Sequence, residues 1–149
     1  SKSGFDSQGK APALPNERSA LTSAIMQPDV RRLRLSAVTG FLAILLGALG
    51  AHGPLHEKLK AAGQLEHWET GLRYHLPHAV LLLVIALLAG ESKALRRAWC
   101  PLFAGIILFS GSLYVLAYTG VKWLGAITPF GGVSFMIGWL LLAFAAKGK

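Results

Sequence analysis

The sequence predicts an all-α membrane protein: a bundle of four transmembrane helices with an interfacial helix before the second span and an extended N-terminal tail. Three observations predict it. Hydrophobic residues make up 53% of the 149 residues and charged residues only 15%, against about 25% charged in an average soluble domain. A soluble chain this short has too much surface to cover with so few charges. The apolar residues fall into runs that, with their flanks, reach the roughly 20 residues needed to cross the hydrocarbon core. The basic residues gather at the ends of those runs rather than within them. The net charge of +8 therefore points to lipid headgroups as partners and not to nucleic acid, for which no recognition motif is present.

Residues 1–30 form a polar N-terminal tail carrying Pro12, Pro15 and Pro28, with no apolar stretch of signal-peptide length. Its apolar content is too low to offset the entropy of ordering it, so it is expected to make its contacts with other molecules through Leu14, Leu21, Ile25 and Met26. Residues 31–149 form the membrane domain, with spans expected at about 34–52, 71–90, 98–119 and 130–146. The first follows Arg31, Arg32 and Arg34 and stops at His52-Gly53-Pro54, where Gly and Pro end a helix. Residues 55–75 are helical in period: Leu65, Trp68, Leu72, Leu76 and Ala79 share one face. This segment is expected to run as an interfacial helix into the second span, with a kink at Pro77. Lys93, Arg96 and Arg97 precede the third span, and the fourth ends at Lys147 and Lys149. Trp99 and Trp123 are expected at opposite membrane interfaces.

Four spans place both termini on one side. Arg31, Arg32, Arg34, Lys93, Arg96, Arg97, Lys147 and Lys149 mark that side, against Lys58, Lys60, Arg73 and Lys122 on the other. The excess of basic residues predicts both termini in the cytoplasm of a bacterium, with the mitochondrial inner membrane as the alternative. Cys100 is the only cysteine, so no intrachain disulfide can form.

Helices in lipid gain no hydrophobic energy by touching and associate through close packing and hydrogen bonds. Small residues at helical spacing are therefore the expected packing positions: Gly47 and Ala51 on the first span, Gly111 on the third, Ser134 and Gly138 on the fourth. The same faces would serve equally to dock a partner's helix. No Asp, Glu, Lys or Arg lies in a span core, which disfavours ion transport. No nucleophile–base arrangement, phosphate loop or dinucleotide fingerprint is present, so no catalytic residue is assigned and the protein is not expected to be an enzyme.

All five histidines lie between the end of the first span and the start of the second. Hydrogen bonding to loops or headgroups accounts for them simply, and no cofactor or metal is expected on that reading. The alternative is a haem, metal or quinone site where the ends of spans one and two bring His52 and His78 to one depth, with Tyr74 nearby.

Four stretches occur together in order and spacing: GALGAH at 47–52, WETGLRYHLPH at 68–78, LFSGSLY at 108–114 and ITPFGGVSFMIGW at 127–139. With them the chain resembles the family catalogued as domain of unknown function 423, which includes eukaryotic transmembrane-protein-256-like relatives. The resemblance covers about Arg34 to Ala146 and omits the tail. It implies a four-span inner-membrane protein and brings no activity, substrate or cofactor. His52, Trp68, Gly71, Tyr74 and His78 match its pattern, whereas His75 replaces a Gln, which argues against His75 as a family ligand. The leading functional expectation is an accessory subunit that packs against other subunits of a larger membrane complex, respiratory or photosynthetic, with lipids bound around it.

Overall fold

The computed structural model describes residues 28–89 and 92–145. The contacts expected of the tail fall on residues 1–27 and lie outside the described residues. Helix α1 spans Val30–Ala51, α2 Gly53–Ala61, α3 Leu65–Leu88, α4 Lys93–Gly105, α5 Ser112–Thr119 and α6 Thr128–Ala145. A π-helical segment, Ile106–Gly111, joins α4 to α5 without a break, and a 3-10 turn, Lys122–Ala126, leads into α6. Four helical stretches are long and apolar enough to cross a membrane: α1, α3, the continuous Lys93–Thr119, and Lys122–Ala145. The chain is an all-α, four-helix membrane protein.

Spans one and three start where a side chain supplies an acceptor to the free N–H groups of the first turn. Asp29 caps α1, accepting from the Arg32 backbone N–H at 3.1 Å and pairing with the Arg32 guanidinium. Ser92 caps α4 through the Leu95 N–H. These caps lie several residues outside the apolar runs, so the helices begin at 30 and 93 rather than about 34 and 98. The charged first turns extend the helix beyond the hydrocarbon.

The interfacial helix before the second span is a separate element. α1 ends at His52, and Gly53 (φ +77°) turns the chain into α2 with Pro54 in its first turn. Gly63 (φ +66°) then breaks the helix again before α3 begins at Leu65. Both turns use the left-handed region that glycine enters without steric cost. α2 lies across one end of the bundle. Its Leu59 is wholly buried and joins Trp68, Tyr114 and Ala117 in one apolar cluster. Pro77 lies inside α3 and does not end it.

Spans one and two pack closely, as do spans three and four, and α3 contacts α4, the π segment and α5 to join the pairs. Ala79, Leu82, Ile85, Trp99, Leu102, Ile106 and Phe135 make the main core. The outer surface is apolar, with residues such as Ile44, Phe41, Phe130 and Phe144 all more than 60% exposed. In water this surface would be a severe liability; in a bilayer it is the solvated face. Trp123 is exposed, as an interface anchor would be, but Trp99 is not. It is buried between spans, donating from Nε1 to Ser36 Oγ at 3.1 Å and stacking on Phe103.

Glycines hold the pairs together by letting bulky groups enter. A Cβ on Gly50 would lie 2.1 Å from Trp68 Nε1, and one on Gly105 would lie 2.4 Å from the Phe135 ring. On Gly131 it would lie 2.3 Å from the Phe109 backbone nitrogen. Backbone cannot yield as a flexible side chain can. Gly131→Ala should therefore separate spans three and four and lower the thermal unfolding temperature in detergent, by the equivalent of about 1–3 kcal/mol or more. Gly40→Ala, with nothing within 4 Å of the new Cβ, should leave that temperature unchanged.

The Asp29 cap predicts a pH dependence. The Arg32 backbone N–H, aided by the Arg32 charge, holds the Asp29 carboxyl below its ordinary value of 3.8. A carboxylate depressed in the folded state adds stability above its unfolded value and loses that contribution as pH falls through the lowered one. Asp29→Asn should therefore remove a small stabilisation at neutral pH, and wild type and variant should converge in unfolding temperature in acid.

Candidate functional site

The structure does not bring His52 and His78 together. Trp68 docks at Gly50, with Nε1 donating to the Leu46 carbonyl at 3.0 Å, and Leu72 packs on Gly47. His52, just beyond Gly50, therefore lies near the beginning of α3. His78 comes ten residues after Trp68, a rise of about 15 Å along the helix. The two imidazoles cannot share an iron at that separation, and this corrects the expectation of a common depth.

His78 points instead toward span four. Its ring stacks on Phe135 at 3.8 Å, its Nδ1–H donates to the Tyr74 carbonyl at 2.7 Å, and its Nε2 accepts from Trp139 Nε1–H at 3.2 Å. Both ring nitrogens are thus engaged in one consistent neutral tautomer. Tyr74 lies near, against Phe109. This aromatic cluster leaves His78 no nitrogen for a ligand. Among the described residues no group of three His, Cys, Asp or Glu is placed to hold a metal ion.

His75 is the histidine with capacity left over. It is only 4% exposed. Its Nδ1 lies 3.2 Å from the Tyr114 hydroxyl, while its Nε2 is buried and makes no hydrogen bond of acceptable geometry, although the Thr39 backbone also interacts with the ring. The ring forms part of the wall of a groove of about 280 Å³ between spans one and three. Leu42, Leu46, Phe103 and Ile107 make the groove apolar, and Thr39 and Tyr114 add the polar groups. The volume is near the lower limit of small-molecule sites, about 300–1,000 Å³.

The π segment shapes the groove. Ile106, Ile107 and Gly111 line it, and the extra residue in the turn disturbs the regular i to i−4 pairing. Ser112 Oγ donates to the Phe109 carbonyl at 2.9 Å, beside the Ser112 backbone N–H that also donates to it. Ser110 Oγ, wholly buried in the same segment, has none. π turns of this kind occur frequently at functional sites.

Of the expected packing positions, Gly47 meets Leu72, Gly138 meets Leu102, and Ser134 donates to the Pro101 carbonyl at 2.7 Å. Ala51 is exposed and makes no such approach; Gly50, one residue earlier, does. Gly111 lines the groove and meets only its own helix's Ile106 carbonyl, at 3.9 Å. Gly71 and Gly131 were not among the expected packing positions. The signal that could have found Gly71 and His75 was their place in the series Trp68, Gly71, His75, Ala79, Leu82, which is the buried stripe of α3. Leu76, expected on the inner face, is exposed.

The fold defines a small helical membrane protein whose polar groups are concentrated at a few inter-helix contacts. The chain belongs to the family described as protein of unknown function (DUF423), whose model matches residues 46–132. It is 47% identical over 116 residues to the UPF0382 membrane protein YwdK of Bacillus subtilis (strain 168), covering 75% of this chain and 92% of that one. It is 41% identical to a UPF0382 membrane protein of Haemophilus influenzae, over 76% of this chain and 91% of the relative. With the UPF0382 inner membrane protein YgdD of Escherichia coli (strain K12) the identity is 36%, over 76% and 87%. No solved structure matches the chain.

The buried pair makes a direct prediction. Tyr114→Phe removes the hydrogen-bond partner of His75 Nδ1 and leaves a buried imidazole unsatisfied. The loss should be about 1–3 kcal/mol of stability, measured by thermal or denaturant unfolding in detergent. Tyr118→Phe, at an exposed tyrosine beneath the Lys58 ammonium, should cost less.

Proposed function

We propose that this protein is a non-catalytic inner-membrane protein that binds a lipid-soluble quinone in the groove between spans one and three. The observation that carries the reading is the buried His75–Tyr114 pair with its unpartnered Nε2 at the wall of an apolar groove. When Tyr114 donates to Nδ1, Nε2 carries the proton; it is closed off from the groove as the ring stands, so a quinone carbonyl would reach it after a small rotation of the ring. Phe103 offers a ring face to the quinone head, and Leu42 and Leu46 offer an apolar path for an isoprenoid tail toward the lipid. This moves the quinone reading from His52, His78 and Tyr74 to the neighbouring histidine. Haem loses its support because its two proposed ligands lie apart.

The accessory-subunit reading rests on the outer face of span one. A methyl group added at Gly40 would meet nothing within 4 Å, and Ala37, Ala48 and Ala51 are exposed. A partner helix would pack there. The inner small residues no longer support that reading, since Gly47, Ser134 and Gly138 are used within the bundle. The basic residues beside α1 and α4 favour an orientation with that end in the cytoplasm.

The test is titration of the purified protein in nanodiscs with short-tailed ubiquinone and menaquinone analogues. Trp68 packs on Tyr114 and Trp99 on Phe103, so a bound quinone should quench tryptophan emission saturably. His75→Leu should weaken binding by roughly 3- to 10-fold, the value of one hydrogen bond. Gly111→Leu, which places a side chain in the groove, should abolish it. Non-saturable quenching that is equal in all three proteins would reflect partition into lipid and overturn the proposal.

A further inference from the structure

We infer that the end of the bundle carrying Arg31 and Arg96 holds the phosphate headgroup of an anionic lipid in a cleft between the starts of spans one and three. The site is separate from the quinone groove and lies at the other end of Trp99. Two adjoining clefts of about 360 and 380 Å³ meet here and share Arg32 and Cys100. Arg31 and Arg32 come from α1, and Lys93, Arg96 and Arg97 from α4.

Five cations thus converge from two helices. The acidic residue lining the clefts is Asp29, and its carboxylate is already held by Arg32. Among the described residues that is the one ion pair in contact, and Asp29 also attracts Arg96, so five cations share a single described carboxylate there. Bringing like charges together across a gap is unfavourable unless an anion neutralises them. A phosphate diester supplies that charge, with oxygens that accept from guanidinium forks.

The cleft is also held in shape before any ligand arrives. Arg32 is fixed by Asp29 on one side and lies 5.7 Å from the centre of the Trp99 ring on the other. Trp99 is in turn held by Ser36, whose hydroxyl donates to the Arg32 carbonyl at 2.8 Å. Leu35 and Trp99 form an apolar wall beside the charges. A soluble anion has no use for that wall. A lipid does, because its glycerol and acyl chains continue from the phosphate along the helix into the hydrocarbon.

Cys100 makes the occupant visible. It is the sole cysteine, is exposed and lines both clefts. The experiment measures the rate at which an uncharged maleimide labels Cys100 in the full chain, in phosphatidylcholine nanodiscs with and without cardiolipin. Labelling should be several-fold slower with cardiolipin. Arg96→Gln/Arg97→Gln should lose most of that protection, whereas Lys58→Gln, at the other end of the bundle, should keep it. Any general effect of an anionic surface on thiol ionisation remains in both variants, so the difference between them isolates the cleft. Native mass spectrometry of the wild type released from mixed-lipid discs should show cardiolipin retained, and the double variant should retain less. Equal labelling rates in the two lipids would overturn the inference. So would protection that survives Arg96→Gln/Arg97→Gln, or equal protection by inorganic phosphate in phosphatidylcholine discs.

Discussion

The bundle depends on bulky rings lodged in glycine notches. Hydrophobic burial cannot hold these helices together, because lipid is as apolar as the neighbouring helix. Cohesion must come from dispersion at close approach and from satisfied hydrogen bonds. Gly50 admits the Trp68 ring, Gly71 admits Tyr114, Gly105 admits Phe135, and Gly131 lets the Phe109 backbone come close. The first notch joins spans one and two, the second spans two and three, and the last two spans three and four. Each pair of consecutive spans therefore has its own notch. The tryptophan in the first also satisfies its indole N–H on the Leu46 carbonyl.

This arrangement decides what the polar groups are free to do. Tyr114 fits beside Gly71 and so reaches His75, and the π segment passes the same point, with the Ser110 carbonyl close to Gly71. Phe135 fits beside Gly105 and so presents its face to His78. Two histidines one turn apart on α3 consequently meet different fates. One has both nitrogens bonded within an aromatic cluster; the other keeps a buried nitrogen unpartnered beside a groove. The difference comes from a rotation of about 60° about the helix axis between positions 75 and 78.

The groove and the basic cleft are mechanically adjacent. Arg32 lies over Trp99, Trp99 stacks on Phe103 with centroids 4.8 Å apart, and Phe103 lines the groove. Trp99 thus lines the basic cleft and backs onto the apolar groove through Phe103. Its burial between spans one and three follows from the Ser36 hydroxyl opposite it. A buried indole N–H needs an acceptor, and span one provides one.

The sequence by itself determined the number of spans, their approximate ends and the breaks between them. Those features follow from local rules: hydrocarbon thickness sets the length of an apolar run, charges collect outside it, and Gly53 followed by Pro54 ends the first helix; the further break at Gly63, within a segment read as one helix, came from the structure. It also identified Gly47, Ser134 and Gly138 as packing positions, and a histidine-rich region as the place to look for chemistry. It pointed to His52 and His78 rather than to the buried His75, placed Ala51 where Gly50 makes the contact, and carried no sign of the π segment. In a soluble helix the polar face reveals the buried one. Here both faces are apolar, so Leu76 reads equally well as facing lipid or a neighbour, and the spacing that puts His75 in the buried stripe does not say which stripe is buried. Only the tertiary structure could decide that, because the rotation of each helix is set by which ring enters which notch, and those pairs lie far apart in the chain.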